Sequence, residues 1–473
     1  MKKGQEEDMK KFIKTFFIGF VITGLMLIGI SSCIRTFGQT LPRKGWLGVA
    51  SQPVDEAKAK ANNLKTGEAT LLTVVAPNGT FDKIGAKVGD ILLSVNQKPI
   101  NSLPELVAMA QTFTEGDAIE LSLISNNERV SKKGVVIGRP KETSENAEVK
   151  YDAVEMSLGT LRTITHIPKN RTGKIPQFFY IQGLPCNSNE YVDPKFVLRQ
   201  VMDDWVKAGF AVFRVERPNL GDSRTTKDCK DMDFNEEVET NKAGYRKLLS
   251  YDFIDTDNIF FFGHSMGGWT APFIAEQKQP KGIMAYGTGF RSWFEYLIDL
   301  FRIQATYGGA THVQAEQLTR QMIPMLYQWL EEDKSVEEMR KNPALKPAVD
   351  YLFQGDYFNT RNAHYFHTMS KQNLAEQWSK VTGKVNIIYG EFDTAAINAR
   401  DAITIAEIVN QARPGNGEYT VLPKTEHMFA KVDSYKQTAD LYNSGKIIQY
   451  AAQNYNPEVG RVTVEWMKKV IVK

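Results

Sequence analysis

From Tyr151 to Lys473, short apolar stretches alternate with stretches of helical spacing. That alternation is the signature of a parallel sheet whose strands are joined by crossover helices, so this part of the chain is expected to be an α/β domain with a mostly parallel sheet. Strands are expected at Phe178–Gln182, Ala211–Glu216, Ile259–Gly263, Ile283–Tyr286, Val385–Tyr389 and Tyr419–Leu422. Between Gly289 and Lys380 runs a long, mostly helical stretch rich in Trp, Tyr, Phe and Met. It is too long for one crossover helix, so it reads as a helical cap (about 290–380) inserted into the sheet. Trp293, Phe294, Tyr296, Tyr327 and Trp329 read mainly as packing residues of that cap, some of them lining an acyl or aromatic pocket.

Gly263-His264-Ser265-Met266-Gly267 lies between the apolar Asn258–Phe262 and the helix-like Gly268–Gln277. A turn from strand to helix forces strained backbone at its centre. Small flanking residues permit it, and the serine hydroxyl is lifted clear of the sheet. A serine hydroxyl needs a base to become a nucleophile, and the base needs a carboxylate to orient it. His427 lies in Lys424–Phe429, just after the last expected strand, and Asp393 closes Gly390-Glu391-Phe392-Asp393, just after the strand before it. The order along the chain is Ser265, Asp393, His427, and each follows a strand, where open α/β sheets build their sites. An oxyanion would be bound by two backbone donors: the N–H of Met266, and the N–H of Leu184 in the loop Gly183-Leu184-Pro185 after the strand Phe178–Gln182.

These residues together resemble the α/β-hydrolase superfamily, in particular its serine aminopeptidase and acyl-esterase branch. The resemblance covers about 151–473 and rests on Gln182-Gly183, Arg217–Ser223, the turn around Ser265, Gly390–Asp393 and Glu426-His427. It implies acyl-enzyme chemistry on Ser265 with no cofactor. Where many family members carry His-Gly before the oxyanion donor, this chain has Gln182-Gly183. The donor is backbone, so that departure costs little. His364 and His367 stand three apart in the cap, but no further ligands accompany them and no metal is expected.

A second pattern precedes the first. Gly45-Trp46-Leu47-Gly48-Val49 opens a compact region (42–139), and Gly89-Asp90-Ile91-Leu92-Leu93-Ser94-Val95-Asn96 falls within it. The region resembles a PDZ domain of the bacterial protease-associated kind. The resemblance implies that backbone N–H groups of Trp46, Leu47, Gly48 and Val49 hold the terminal carboxylate of a peptide, which adds as a strand to a sheet edge. The alternative is a PDZ-like spacer without a ligand. The polar stretch 140–150 shows no apolar period and reads as a linker to the α/β domain.

The N-terminus is lysine-rich up to Lys14, and Thr15–Ile30 is almost wholly apolar before Ser31-Ser32-Cys33. Residues 1–33 read as a signal peptide or membrane anchor, and the run ending at Cys33 resembles the bacterial lipobox, in which the cysteine is lipidated. An uncleaved anchor helix is the alternative. Either places the rest of the chain outside the cytoplasm, against a membrane. Of the three cysteines, Cys186 and Cys229 then remain, and an oxidising compartment favours one disulfide between them over two unrelated buried thiols. The 58 basic against 55 acidic residues give no basic surface for nucleic acid.

The expected protein is therefore an exported, membrane-tethered serine hydrolase acting on a carboxylic ester in a small-molecule or acylated substrate. Two alternatives stand beside it: a serine peptidase fed by the PDZ-like domain, and a non-catalytic binding scaffold.

Overall fold

A computed structural model describes residues 41–471. The expected leader at 1–33 and the lipidation of Cys33 lie outside the described residues. Among the described residues, no helix is long and apolar enough to cross a membrane. They form two compact units, one ending at Lys141 and the other beginning at Glu142.

The first unit is a small antiparallel sheet of PDZ-like kind. Its strands are β1 (Val49–Pro53), β2 (Thr70–Val75), β3 (Ile91–Val95), the short β4 (Lys98–Pro99), β5 (Ala118–Ser125) and β6 (Glu128–Val135), in the order β1-β2-β3-β5-β6, with β4 paired to β3. Along β5, Ile119, Leu121 and Leu123 point inward onto Leu47, Phe81, Leu92 and Leu106. The helix Leu103–Thr112 starts where Ser102 caps the N–H of Glu105, and packs beside β1. Strand β6 carries Glu128, Arg129, Lys132 and Lys133 on a mostly exposed strand, which hid it from a reading based on apolar runs.

In the second unit the strands are β7 (Ala147–Met156), β8 (Gly159–Pro168), β9 (Ile175–Ile181), β10 (Ala211–Val215), the short β11 (Arg224–Thr225), β12 (Ile254–His264), β13 (Gly282–Tyr286), β16 (Lys384–Gly390) and β17 (Gly417–Leu422); the two-residue strands β14 (Tyr357–Phe358) and β15 (Arg361–Asn362) pair with each other. The main sheet runs β7-β8-β10-β9-β12-β13-β16-β17. Strand β8 is antiparallel to β7 and β10, and every pairing from β10 to β17 is parallel. This is the strand order of the α/β-hydrolase fold. Buried aromatic residues fill both faces of the sheet: Phe179, Phe213 and Phe261 on one, Phe178, Phe260 and Phe262 on the other. The cap is helical throughout most of its length, with the rings of Trp293, Trp329, Phe358 and Phe366 packed in one cluster, mostly edge to face.

One expectation is corrected here, and one element was missed. The stretch 140–150 is not a flexible linker. From Ala147 onward it is strand β7, and the carboxylate of Glu142 is buried against Arg214 at 2.8 Å, Arg199 at 3.0 Å and His166 at 2.6 Å. A charge drawn into the core by two guanidiniums looks, in one dimension, like any polar loop residue. The β7–β8 hairpin was also not expected. Buried Arg162, Thr163, Thr165 and His166 break the apolar run that marks a core strand elsewhere.

Candidate active site

Ser265 sits between β12 and the buried helix Met266–Ala275 with φ 56° and ψ −122°, a conformation a non-glycine residue rarely adopts. The turn is tight enough to exclude side chains at both motif glycines: a Cβ on Gly263 would lie 2.6 Å from the Gly267 backbone, and one on Gly267 would lie 2.1 Å from the Ile181 carbonyl. The N–H of Ser265 donates to the Tyr286 carbonyl at 2.8 Å, tying the turn to the end of β13.

His427 and Asp393 meet. His427 Nδ1 and Asp393 Oδ2 are 2.8 Å apart, and Asp393 is fully buried. The other oxygen of Asp393 accepts from the N–H groups of Ala395 at 2.9 Å and Ala396 at 2.8 Å, which fixes the carboxylate's plane. Burial works against a charged ring at His427, but the charge and hydrogen bond of Asp393, with help from Glu426, raise its pKa above the ordinary histidine value. Glu391, the nearest other carboxylate in sequence, instead accepts from the Lys424 N–H at 2.8 Å.

The pair is brought to the serine by backbone contacts on both sides. His264, which precedes Ser265, has Nε2 3.0 Å from the His427 carbonyl. Burial, then the neighbouring His427, lowers the His264 pKa to about 3, so its ring is neutral and donates that bond. Tyr286, which receives the Ser265 N–H, donates its hydroxyl to the Glu426 carbonyl at 2.7 Å. No hydrogen bond joins the Ser265 hydroxyl to His427 in this structure; such bonds commonly tighten only once substrate is bound.

Among the described residues, the N–H groups of Met266 and Leu184 make no hydrogen bond. Met266 opens the helix, so its N–H has no intrahelical partner and carries the positive end of the helix dipole. Gly183 lies against the serine: a Cβ there would be 3.1 Å from the Ser265 Cβ. Cys186 and Cys229 form a disulfide with Cα atoms 5.8 Å apart, beside this loop.

Several supporting residues escaped the sequence reading. Gly287, at φ +61°, lies beside the His427–Asp393 pair; the doubled glycine in Gly287-Thr288-Gly289 after an apolar strand was the available signal. Three cap side chains hold the loop after Asp393: Gln304 donates to the Thr394 carbonyl at 2.9 Å, Tyr296 to Ala395 at 2.8 Å and Tyr307 to Ile397 at 2.9 Å. Nothing in the sequence linked residues about a hundred positions apart to that loop. His364 and His367 both face Asp333, at 3.2 Å and 3.7 Å. Among the described residues, no group of three or more His, Cys, Asp or Glu is arranged to hold a metal ion.

In the first unit, Trp46–Val49 leads into β1, which among the described strands pairs with β2 alone. Among the described residues, the N–H groups of Leu47 and Gly48 have no hydrogen-bond partner, while the Leu47 side chain is buried in the core. Thr80 pins the loop by donating to the Trp46 carbonyl at 2.7 Å.

No protein-family model matches the chain. It is similar to the periplasmic pH-dependent serine endoprotease DegQ of Escherichia coli, 30% identical over 138 residues, which is 29% of this chain and 30% of DegQ. It is also similar to the periplasmic serine endoprotease DegP of Escherichia coli, 31% identical over 114 residues, 24% of each chain. The chain thus matches less than a third of the length of these curated relatives. Solved structures similar to it include Est1E from Butyrivibrio proteoclasticus, 13% identical with a TM-score of 0.42, over 69% of this chain and 99% of Est1E. A highly thermostable carboxyl esterase from Bacillus coagulans is 15% identical with a TM-score of 0.41, over 68% of this chain and 99% of that one. At such identity the chemistry has to be read from the site itself.

Proposed function

We propose that the protein is a serine hydrolase that cleaves carboxylic esters through an acyl-enzyme. The observation that carries this reading is the His427–Asp393 pair, 2.8 Å apart and tied through His264 and Tyr286 to the strained Ser265 turn, with two open N–H groups beside that turn. The Ser265 oxygen attacks the ester carbonyl while its proton passes to Nε2 of His427. Asp393 holds Nδ1–H and stabilises the imidazolium that forms. The negative oxygen of the tetrahedral intermediate is received by the N–H groups of Met266 and Leu184. Collapse breaks the bond to the leaving alcohol, which takes the proton from His427. Water, deprotonated by the same ring, then releases the acid and restores the serine. All of this chemistry is supplied by the chain's own residues.

A peptidase is the second reading. It is favoured by the open N–H groups of Leu47 and Gly48 beside the free edge of β1, which suit the terminal carboxylate of a peptide. It is favoured too by the likeness to the periplasmic proteases DegQ and DegP. That likeness and the disulfide support a place outside the cytoplasm, and the apolar run before Cys33 supports a lipid anchor there.

A panel of acyl esters, aryl esters and aminoacyl amides, with Ser265→Ala as control, tests the reading. Ester turnover that vanishes in the variant supports it; turnover of amides alone establishes the peptidase. A library of C-terminal peptides tests the first unit. Binding lost when the peptide carboxylate is amidated supports recruitment, and no binding at all leaves a spacer.

A further inference from the structure

An oxyanion donor is useful only if its peptide faces the right way, and a surface loop can flip. In a trans peptide the carbonyl and the N–H point in opposite directions, and among the described residues there is no cis bond. The N–H of Leu184 therefore faces away from the carbonyl of Gly183. That carbonyl accepts a hydrogen bond from Arg217 Nη2 at 2.5 Å. The same guanidinium donates to the carbonyls of Gln182 and Pro185. The one carbonyl left between them, that of Leu184, accepts from Arg361 Nε at 3.1 Å. Four consecutive carbonyls are thus turned toward two guanidiniums, while Gly183 itself lies against Ser265, a Cβ on it falling 3.1 Å from the Ser265 Cβ.

The two arginines are themselves held. Glu237 accepts from Arg217 Nε at 2.7 Å through one oxygen and from Arg361 Nη2 at 2.6 Å through the other. All three side chains are buried, and the cluster keeps one net positive charge behind the loop. If the loop flipped, the buried Arg217 guanidinium would keep Glu237 but lose the carbonyls that its Nη1 and Nη2 donate to, so the arrangement resists a flip. Pro185 adds to this by disfavouring helical backbone at Leu184.

We infer that Arg217 is a positioning residue for the oxyanion hole: it fixes the Gly183–Leu184 peptide with its N–H toward Ser265 and polarises that N–H through the shared peptide. This rests on the serine-hydrolase reading above. Arg217 is buried behind the loop and acts through the Gly183–Leu184 peptide, so its effect belongs to the transition state, where the oxygen becomes negative.

The test is Arg217→Lys in the full chain, which keeps the charge but loses the fork that spans three carbonyls. With 4-nitrophenyl acetate, kcat is expected to fall by about 10²–10³-fold while KM stays within about threefold. The inactivation rate with an alkyl fluorophosphonate should fall in parallel. In that reaction the P–F bond breaks, the Ser265 oxygen bonds to phosphorus, fluoride leaves, and the serine proton goes to His427. The acid limb of the kcat–pH profile should not move, because His427 and Asp393 are untouched. A folded variant with near-normal kcat, a loss confined to KM, or a moved pH limb overturns the inference. If the lysine variant does not fold, the crystal structure of the wild-type phosphonyl adduct decides. The phosphonyl oxygen should lie about 2.7–3.1 Å from the Leu184 nitrogen, with Gly183 still bonded to Arg217; a flipped peptide refutes the inference. A wild-type protein that the probe does not label at all sinks the hydrolase reading instead.

Discussion

Gly287 leaves no room for a side chain beside Asp393: a Cβ at that position would lie 2.6 Å from Asp393 Oδ2 and 2.7 Å from His427 Nδ1. Its φ of +61° adds a conformation that a side chain resists. Gly287→Ala should therefore push the acid and base apart. The expected result is a fall in kcat of about tenfold or more, with a loss of about 1–3 kcal/mol in stability from the strained backbone. Steady-state kinetics and a urea melt check it.

The pH profile follows from the same pair. His427 must be neutral to accept the serine proton, so activity is present above its folded pKa and lost as pH falls through it. That pKa is raised, burial being outweighed by Asp393. The acid limb of kcat/KM should therefore be centred above the ordinary histidine value of about 6.5. In Asp393→Asn the raising charge is gone while the burial remains, so the limb should move to lower pH as kcat drops by about 10³-fold or more. His264 stays neutral across this range and should add no second limb.

Most of this site was legible in the sequence because its parts sit at the ends of hydrophobic strands. Ser265, Asp393 and His427 each follow an apolar run, and the fold brings strand ends together. What was hidden depends on contacts between distant residues. Arg361 reaches Leu184 across 177 positions and Tyr296 reaches Ala395 across 99, and neither contact leaves a periodic trace. Glu142 was misplaced for the same reason. Its neighbours in sequence are polar, and its partners, Arg199 and Arg214, lie 57 and 72 positions away.

Glu142→Gln tests that correction. The substitution leaves Arg199 and Arg214 buried without their anion, and breaking such a pair costs about 3–5 kcal/mol. In the wild type, burial opposes the ionised form, but Arg214 and His166 hold the carboxyl well below the usual range. Its contribution is therefore present above the unfolded carboxylate pKa and is lost as pH falls through the folded one. Denaturant melts should show a large loss at pH 7 that shrinks toward acid pH.

The disulfide joins Cys186 and Cys229 across a separation of 43 residues. Closing a loop of that length stabilises by about 4 kcal/mol in the chain-entropy model. Reductant, or Cys186→Ser with Cys229→Ser, should lower the melting temperature. It should also lower kcat, because Arg361 donates to the Cys229 carbonyl at 3.0 Å and Cys186 lies two residues beyond Leu184. Calorimetry and ester turnover with and without reductant separate the two effects.

The proposed chemistry requires Ser265 to be an activated nucleophile, which labelling of the full chain by a fluorophosphonate, followed by peptide mapping, tests. One phosphonylated residue, Ser265, is expected, with no labelling in Ser265→Ala and labelling slowed by about 10³-fold or more in His427→Ala. A folded wild-type protein that takes up no label, or a label that persists in Ser265→Ala, would contradict it.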